Sequence, residues 1–141
     1  MKKTKTVATP PFAVKSWISG DGVTVFEVSG EVEFYTAPAL RRELLQTTAG
    51  HSPLAVLDLS AVTFIDSSGV SALVLGCKRV RKHHGALGLA NPSQHVRHVL
   101  GVMGLLKVFS IFDTVEEAQA GVKEAASLVG GAAARLCAGL S

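Results

Sequence analysis

Hydrophobic positions change their period several times along this 141-residue chain. Residues 12–18 place Val14 and Ile18 on one face, and residues 23–28 form a second β-rich run. Gly20-Asp21-Gly22 between them has the turn chemistry of a hairpin, and Ser29-Gly30 is expected to end the second strand. From Thr36 the period lengthens: Ala37, Leu40 and Leu44 recur at helical spacing, with Thr36 as N-cap and Pro38 in the first turn. Residues 50–53 break this helix. The nearly continuous apolar run over 54–59 fits a central strand covered by helices, followed by a short connection.

A second helix is expected over 68–82, with Val70, Val74, Cys77 and Val80 or Arg81 inward and Gly85 as its stop. Ser71, Leu75, Lys78 and Lys82 fall on one outward line, a solvated stripe unless something docks there. Residues 86–90 read as a strand. Pro92-Ser93 opens a third helix with Val96, Val99, Leu100 and Met103 on one face, and 109–112 is a last short strand. Asp113-Thr114, with Glu116 and Glu117 in the next turn, starts a final helix with negative charge at the positive end of its dipole. Strands that alternate with helices after an opening hairpin predict an α/β fold with a mixed or parallel sheet.

Composition narrows this picture. A chain that is 48% hydrophobic but only 6% aromatic builds its core from Val, Leu, Ala and Ile, which suits α/β packing. One domain is expected over residues 12–126, after a flexible tail over 1–11 and before an Ala/Gly-rich extension over 127–141. The formal charge of +3 is carried by Lys2, Lys3 and Lys5 in that tail, so the body is close to neutral and direct nucleic-acid binding is not indicated. Pro10, Pro11, Lys15, Gly20 and Asp21 interrupt any leader-like apolar run, and no stretch has the length and apolarity of a membrane span. Cys77 and Cys137 lack a C-x-x-C pattern, and Cys77 reads as a buried reduced thiol. A cytoplasmic protein is the expectation.

The chemistry concentrates at Asp66-Ser67-Ser68-Gly69, where the second helix begins. A serine at a helix N-cap lies beside backbone N–H groups that lack partners, at the positive pole of the dipole. Gly69 has no side chain, so another molecule can come close to the backbone. These residues describe an exposed hydroxyl on a rigid mount, able to accept a phosphoryl group. They equally describe an ordinary cap. Metal binding is the rival for the histidines: His95 and His98 are three apart and His83-His84 adjoin, but no third ligand stands at a matching spacing. A serine hydrolase would need a G-x-S-x-G elbow, and a kinase of the P-loop type a G-x-x-x-x-G-K-[ST] loop; neither occurs.

The run Leu57-Asp58-Leu59-Ser60-Ala61-Val62-Thr63-Phe64-Ile65-Asp66-Ser67-Ser68-Gly69-Val70 resembles the signature of STAS-domain anti-sigma factor antagonists. Gly30-Glu31-Val32-Glu33 with Thr36-Ala37 resembles the family's strand-to-helix loop, and residues 103–109 its late helix-to-strand turn. The loop commonly ends in aspartate where this chain has Glu33, which keeps the carboxylate one methylene further out. The resemblance implies a STAS-like fold, with a mixed central sheet of about five strands and four main helices. It implies no enzyme, no cofactor and no metal. Ser67 would be the phosphorylation site, with Asp66, Ser68 and Gly69 around it, and Glu33, Thr36, Ser67, Ser71 and Leu75 would meet the partner. That partner would be an anti-sigma factor with serine kinase activity, with a serine phosphatase for reset. The alternative within the fold is a scaffold or regulatory module of a larger, for example transporter-associated, complex.

Overall fold

The computed structural model describes residues 4–47 and 53–127. Along these residues the elements are strands β1 (Lys5–Thr9), β2 (Phe12–Ile18) and β3 (Thr24–Val32), helix α1 (Ala37–Thr47), strand β4 (Leu54–Ile65), helix α2 (Ser67–Lys82), strand β5 (Ala86–Ala90), helix α3 (Gln94–Val102), strand β6 (Ser110–Phe112) and helix α4 (Val115–Ser127). The six strands form one mixed sheet in sequence order. The β1–β2–β3 pairs are antiparallel, and β3 to β6 are mutually parallel, joined by the first three helices as crossovers. The expected α/β sheet and four helices are borne out.

Alternation along the strands sends successive side chains to opposite cores. Phe26, Val28, Leu57 and Leu59 pack with Leu40 and Leu44 of α1, Leu73 of α2 and Leu100 of α3. Val23, Val25 and Val56 pack with Ala118 and Val122 of α4 on the other face. Fully burying one such Leu or Val contributes about 1.5–3 kcal/mol. Gly76 brings α1 and α2 together, since a Cβ there would lie 3.0 Å from Leu44 Cδ1.

Several boundaries differ from the expectation. The N-terminal segment is not all tail: Lys5–Thr9 pairs with β2 from Lys5↔Ser16 to Thr9↔Phe12. Lys5 Nζ reaches Glu43 Oε1 at 2.9 Å, so this lysine compensates a buried carboxylate on α1 and is not solvated bulk charge. Lys2 and Lys3 lie outside the described residues. Strand β3 does not stop at Ser29-Gly30 but crosses a register shift there and runs on to Val32. Gly30 has φ +86°, and a Cβ on it would collide with the Pro11 carbonyl. Strand β4 likewise continues through Ser60 to Ile65, so α2 follows the sheet with no connecting loop.

At the far end of α2, His84 and not Gly85 takes the left-handed conformation, with φ 63°. Gly85 is small for another reason: a Cβ would sit 1.9 Å from the Pro53 carbonyl oxygen. Met103 is 43% exposed beyond the end of α3, off the buried face formed by Val96 and Leu100. Helix α4 starts as expected, with Thr114 Oγ1 accepting from the Glu117 N–H at 3.1 Å. Its Lys123 Nζ meets Asp21 Oδ2 at 2.7 Å and pins the helix to the β2–β3 turn. Cys77 is buried as expected, but it is disulfide-bonded, which corrects the reduced-thiol expectation. The chain's other cysteine, Cys137, and the expected extension beyond Ser127 lie outside the described residues, as do positions 50–52 of the expected helix break.

Candidate functional site

The junction between β4 and α2 is fixed by one long-range bond. The Asp66 N–H donates to the Val32 carbonyl at 3.2 Å, tying the start of α2 to the end of β3. Asp66 is the N-cap: its Oδ1 accepts from the N–H groups of Ser68 at 2.9 Å and Gly69 at 3.2 Å. The sequence placed Ser67 in that role. A carboxylate one residue earlier satisfies two orphan donors and adds negative charge at the positive helix end, so it takes the cap. Ser67 is thereby the first residue of the helix, exposed, with its hydroxyl released from capping. Gly69 also has a different reason from the one expected. A Cβ on it would lie 2.6 Å from both the Val32 carbonyl oxygen and Ile65 Cγ1, so the chain's own backbone approaches it, not a second molecule.

Facing this junction is the turn from β3 into α1. Glu33 Oε1 accepts from the N–H groups of Tyr35 at 3.1 Å and Thr36 at 3.2 Å. The Thr36 carbonyl begins α1 by accepting from the Ala39 N–H at 3.0 Å, but its hydroxyl does not cap the helix. It donates backwards to the Glu31 carbonyl at 2.7 Å and accepts from the Glu33 N–H at 2.9 Å. Thr36 is buried, so it shapes this turn and offers no surface to a partner. With both polar side chains turned onto the backbone, Phe34 and Tyr35 are pushed outward, 67% and 83% exposed. Their rings meet edge to face at 5.3 Å.

Between the first turns of α1 and α2 runs an open groove of about 660 Å³, lined by Phe34, Pro38 and Arg41 on one wall and Ser68, Ser71 and Leu75 on the other. The structure thus brings Ser68, Ser71 and Leu75 into one surface, with Asp66, Ser67 and Gly69 at its head and Glu33 and Thr36 behind its aromatic wall. On the opposite flank of the junction Phe64 stacks on His95, ring centroids 5.3 Å apart and 21° from parallel. Sequence reasoning missed Phe34, Tyr35 and Phe64. Two adjacent aromatics in a polar turn, in a chain so poor in them, were the available signal. Among the described residues no three His, Cys, Asp or Glu side chains gather to hold a metal ion, and no helix is long and apolar enough to cross a membrane.

The model of the STAS domain family matches residues 19–118. The chain is 31% identical over 103 residues to the anti-sigma-F factor antagonist RsfB of Mycobacterium tuberculosis, spanning 73% of this chain and 84% of that protein. It is 33% identical over 69 residues to the anti-sigma-B factor antagonist of Bacillus subtilis, 49% of this chain and 62% of that one. The crystal structure of an anti-sigma factor antagonist from Mycobacterium paratuberculosis matches with a TM-score of 0.67 at 29% identity, covering 87% of this chain and 95% of that chain.

Proposed function

We propose, from the premise that this chain belongs to the STAS domain family, that it is an anti-sigma factor antagonist switched by phosphorylation of Ser67. The unphosphorylated protein binds an anti-sigma factor that is also a serine kinase, and so releases a sigma factor in the cytoplasm. The observation that carries this reading is the division of labour at the head of α2. Asp66 does the capping, which leaves the Ser67 hydroxyl exposed on a rigid mount beside the groove.

In the transfer, Ser67 Oγ attacks the γ-phosphorus of ATP held by the kinase. The bond to the ADP oxygen breaks, and the hydroxyl proton passes to a base on the kinase. The product carries about −1.5 to −2 extra charge at neutral pH. Next to Asp66, and inside a docked surface, that charge meets like-charge repulsion and a desolvation cost. A penalty of about 3 kcal/mol weakens binding by roughly two orders of magnitude, enough to reverse a competition with the sigma factor. The helix N-terminus holds the phosphate without unfolding the domain, so the change is local. A serine phosphatase resets the switch.

The test is binding to the purified anti-sigma factors of the protein's own organism. Ser67→Ala should bind one of them in the presence of ATP as tightly as the unmodified protein does, and Ser67→Asp should bind at least tenfold more weakly. Equal binding by both variants would sink the proposal. Co-purification with a membrane transporter and no anti-sigma factor would favour the scaffold alternative.

A further inference from the structure

We infer that the docking face extends from the groove down α1 and α2 as a cationic strip, and that the partner surface it takes is an acidic one. This rests on the partner-switch reading above and names the chemistry of that partner.

The two helices are unevenly charged. Arg41 and Arg42 on α1 and Lys78, Arg79 and Lys82 on α2 are all exposed. The one carboxylate on either helix, Glu43, is 4% exposed and bridged to Lys5, so it contributes nothing to the outer surface. Among the described residues none of the five cations is in an ion pair; the bridges present use Lys5, Arg97 and Lys123. A solvated helix face usually mixes both signs, and this one does not.

The cations are also continuous with the apolar groove. Ser71, Leu75, Lys78 and Lys82 follow one another at spacings of four, three and four along α2, which is one helical stripe. The contact of Gly76 with Leu44 sets the helices side by side, and Arg41 already lines the groove opposite Leu75. From the head downward, the surface therefore passes from Ser67 to exposed aromatics and Leu75, then to uncompensated positive charge. A partner segment that fits has an apolar ridge for the groove and Asp or Glu side chains beside it. A flat bilayer or a nucleic-acid duplex would use the charge but leave the concave apolar part unfilled.

An acidic partner also sharpens the switch. The phosphate on Ser67 arrives at the edge of a face whose occupant carries the same sign, so it repels the partner directly while the cations above which the partner sits remain. Charge complementarity of this kind acts mainly on the association rate and is screened by salt.

The experiment measures association of the wild type, Lys78→Glu/Lys82→Glu and Ser67→Asp with the anti-sigma factor of the same organism that the wild type binds, at about 50 and about 300 mM NaCl. The wild-type on-rate should fall about tenfold between the two salts. The double variant should associate about tenfold more slowly at low salt, with most of the salt dependence gone, and should melt as the wild type does. Wild-type on-rate and salt dependence in the double variant, with Ser67→Asp still weakened, would leave the switch intact and overturn the acidic partner. If the wild type binds none of those anti-sigma factors, both readings fall. Charge-sensitive retention of the wild type on phosphatidylserine vesicles or duplex DNA, with no charge-sensitive protein association, would likewise overturn the inference.

Discussion

Replacing Gly69 by alanine tests whether the head of α2 is seated as tightly as the geometry requires. In an open helix this change is favourable: alanine has the higher helix propensity by about 1 kcal/mol and restricts the unfolded chain. Here the added Cβ would lie 2.6 Å from the Val32 carbonyl oxygen, 2.6 Å from Ile65 Cγ1 and 2.9 Å from Val32 Cγ1. Ordinary carbon contacts begin near 3.5 Å. Val32 and Ile65 are 1% and 3% exposed, so neither side chain can swing into solvent. The carbonyl is held as well, because it accepts from Asp66 N–H, and backing α2 away would stretch that bond. Overpacking of this kind costs about 1–3 kcal/mol, and a backbone obstacle favours the upper half, so a net loss of about 1–2 kcal/mol is expected. With a urea m-value of about 2 kcal/mol/M, the midpoint should fall by roughly 0.5–1 M at unchanged slope. Gly20→Ala is the control: nothing lies within 4 Å of its Cβ, and its stability should stay within about 0.5 kcal/mol of wild type. A Gly69→Ala protein as stable as Gly20→Ala would refute the close seating of α2 on β3.

Two further predictions concern the Asp66 cap and the Asp21 carboxylate at the β2–β3 turn. Removing the cap with Asp66→Ala should cost about 1–2 kcal/mol, while Asp66→Asn keeps a neutral acceptor and should lose less; thermal melts that place alanine level with wild type would contradict the capping assignment. Asp21 is held down to a pKa of about 2, first by its hydrogen bond to Lys123 and then by the one from Ser19. Its folded value lies below the usual carboxylate range of about 4, so its stabilisation is complete above that range and lost as pH falls towards 2. The gap in denaturation midpoint between wild type and Asp21→Asn should accordingly be small but constant from neutral pH to about 5, and should close on acidification to about 2. A gap that persists at the acid end would show that the carboxylate is not what the variant removes.

The sequence carried most where local pattern and burial coincide. Strand β5 was legible residue for residue over Ala86–Ala90, because all five positions are buried and turn residues bound them on both sides. The second half of β4 was not. From Leu59 on, its buried positions fall at Val62 and Ile65, a spacing of three, because register shifts against β3 break the two-residue alternation. Strand β1 has almost no buried face and is held by backbone pairing and by Lys5–Glu43, partners 38 residues apart that no local pattern can show. The site was found by resemblance and then altered in detail. Asp66 and Ser67 are both competent caps, and Asp66 takes the role because its carboxylate satisfies two N–H groups at once. Thr36 has an N-cap's sequence context, yet the carbonyl of Glu31 captures its hydroxyl. The aromatic wall escaped notice because exposure of Phe34 and Tyr35 depends on how Glu33 folds back onto its own turn.

Transfer of a phosphoryl group from an anti-sigma factor to Ser67 can be followed directly. The most direct measurement incubates the protein with each purified anti-sigma factor of its organism and Mg-ATP, then locates the modification by mass spectrometry of peptides. A single phosphate is expected on Ser67 with one of these kinases, and none on Ser67→Ala. A phosphate placed on Ser68 or Ser71, stoichiometric modification of Ser67→Ala, or no transfer from any of them would contradict it.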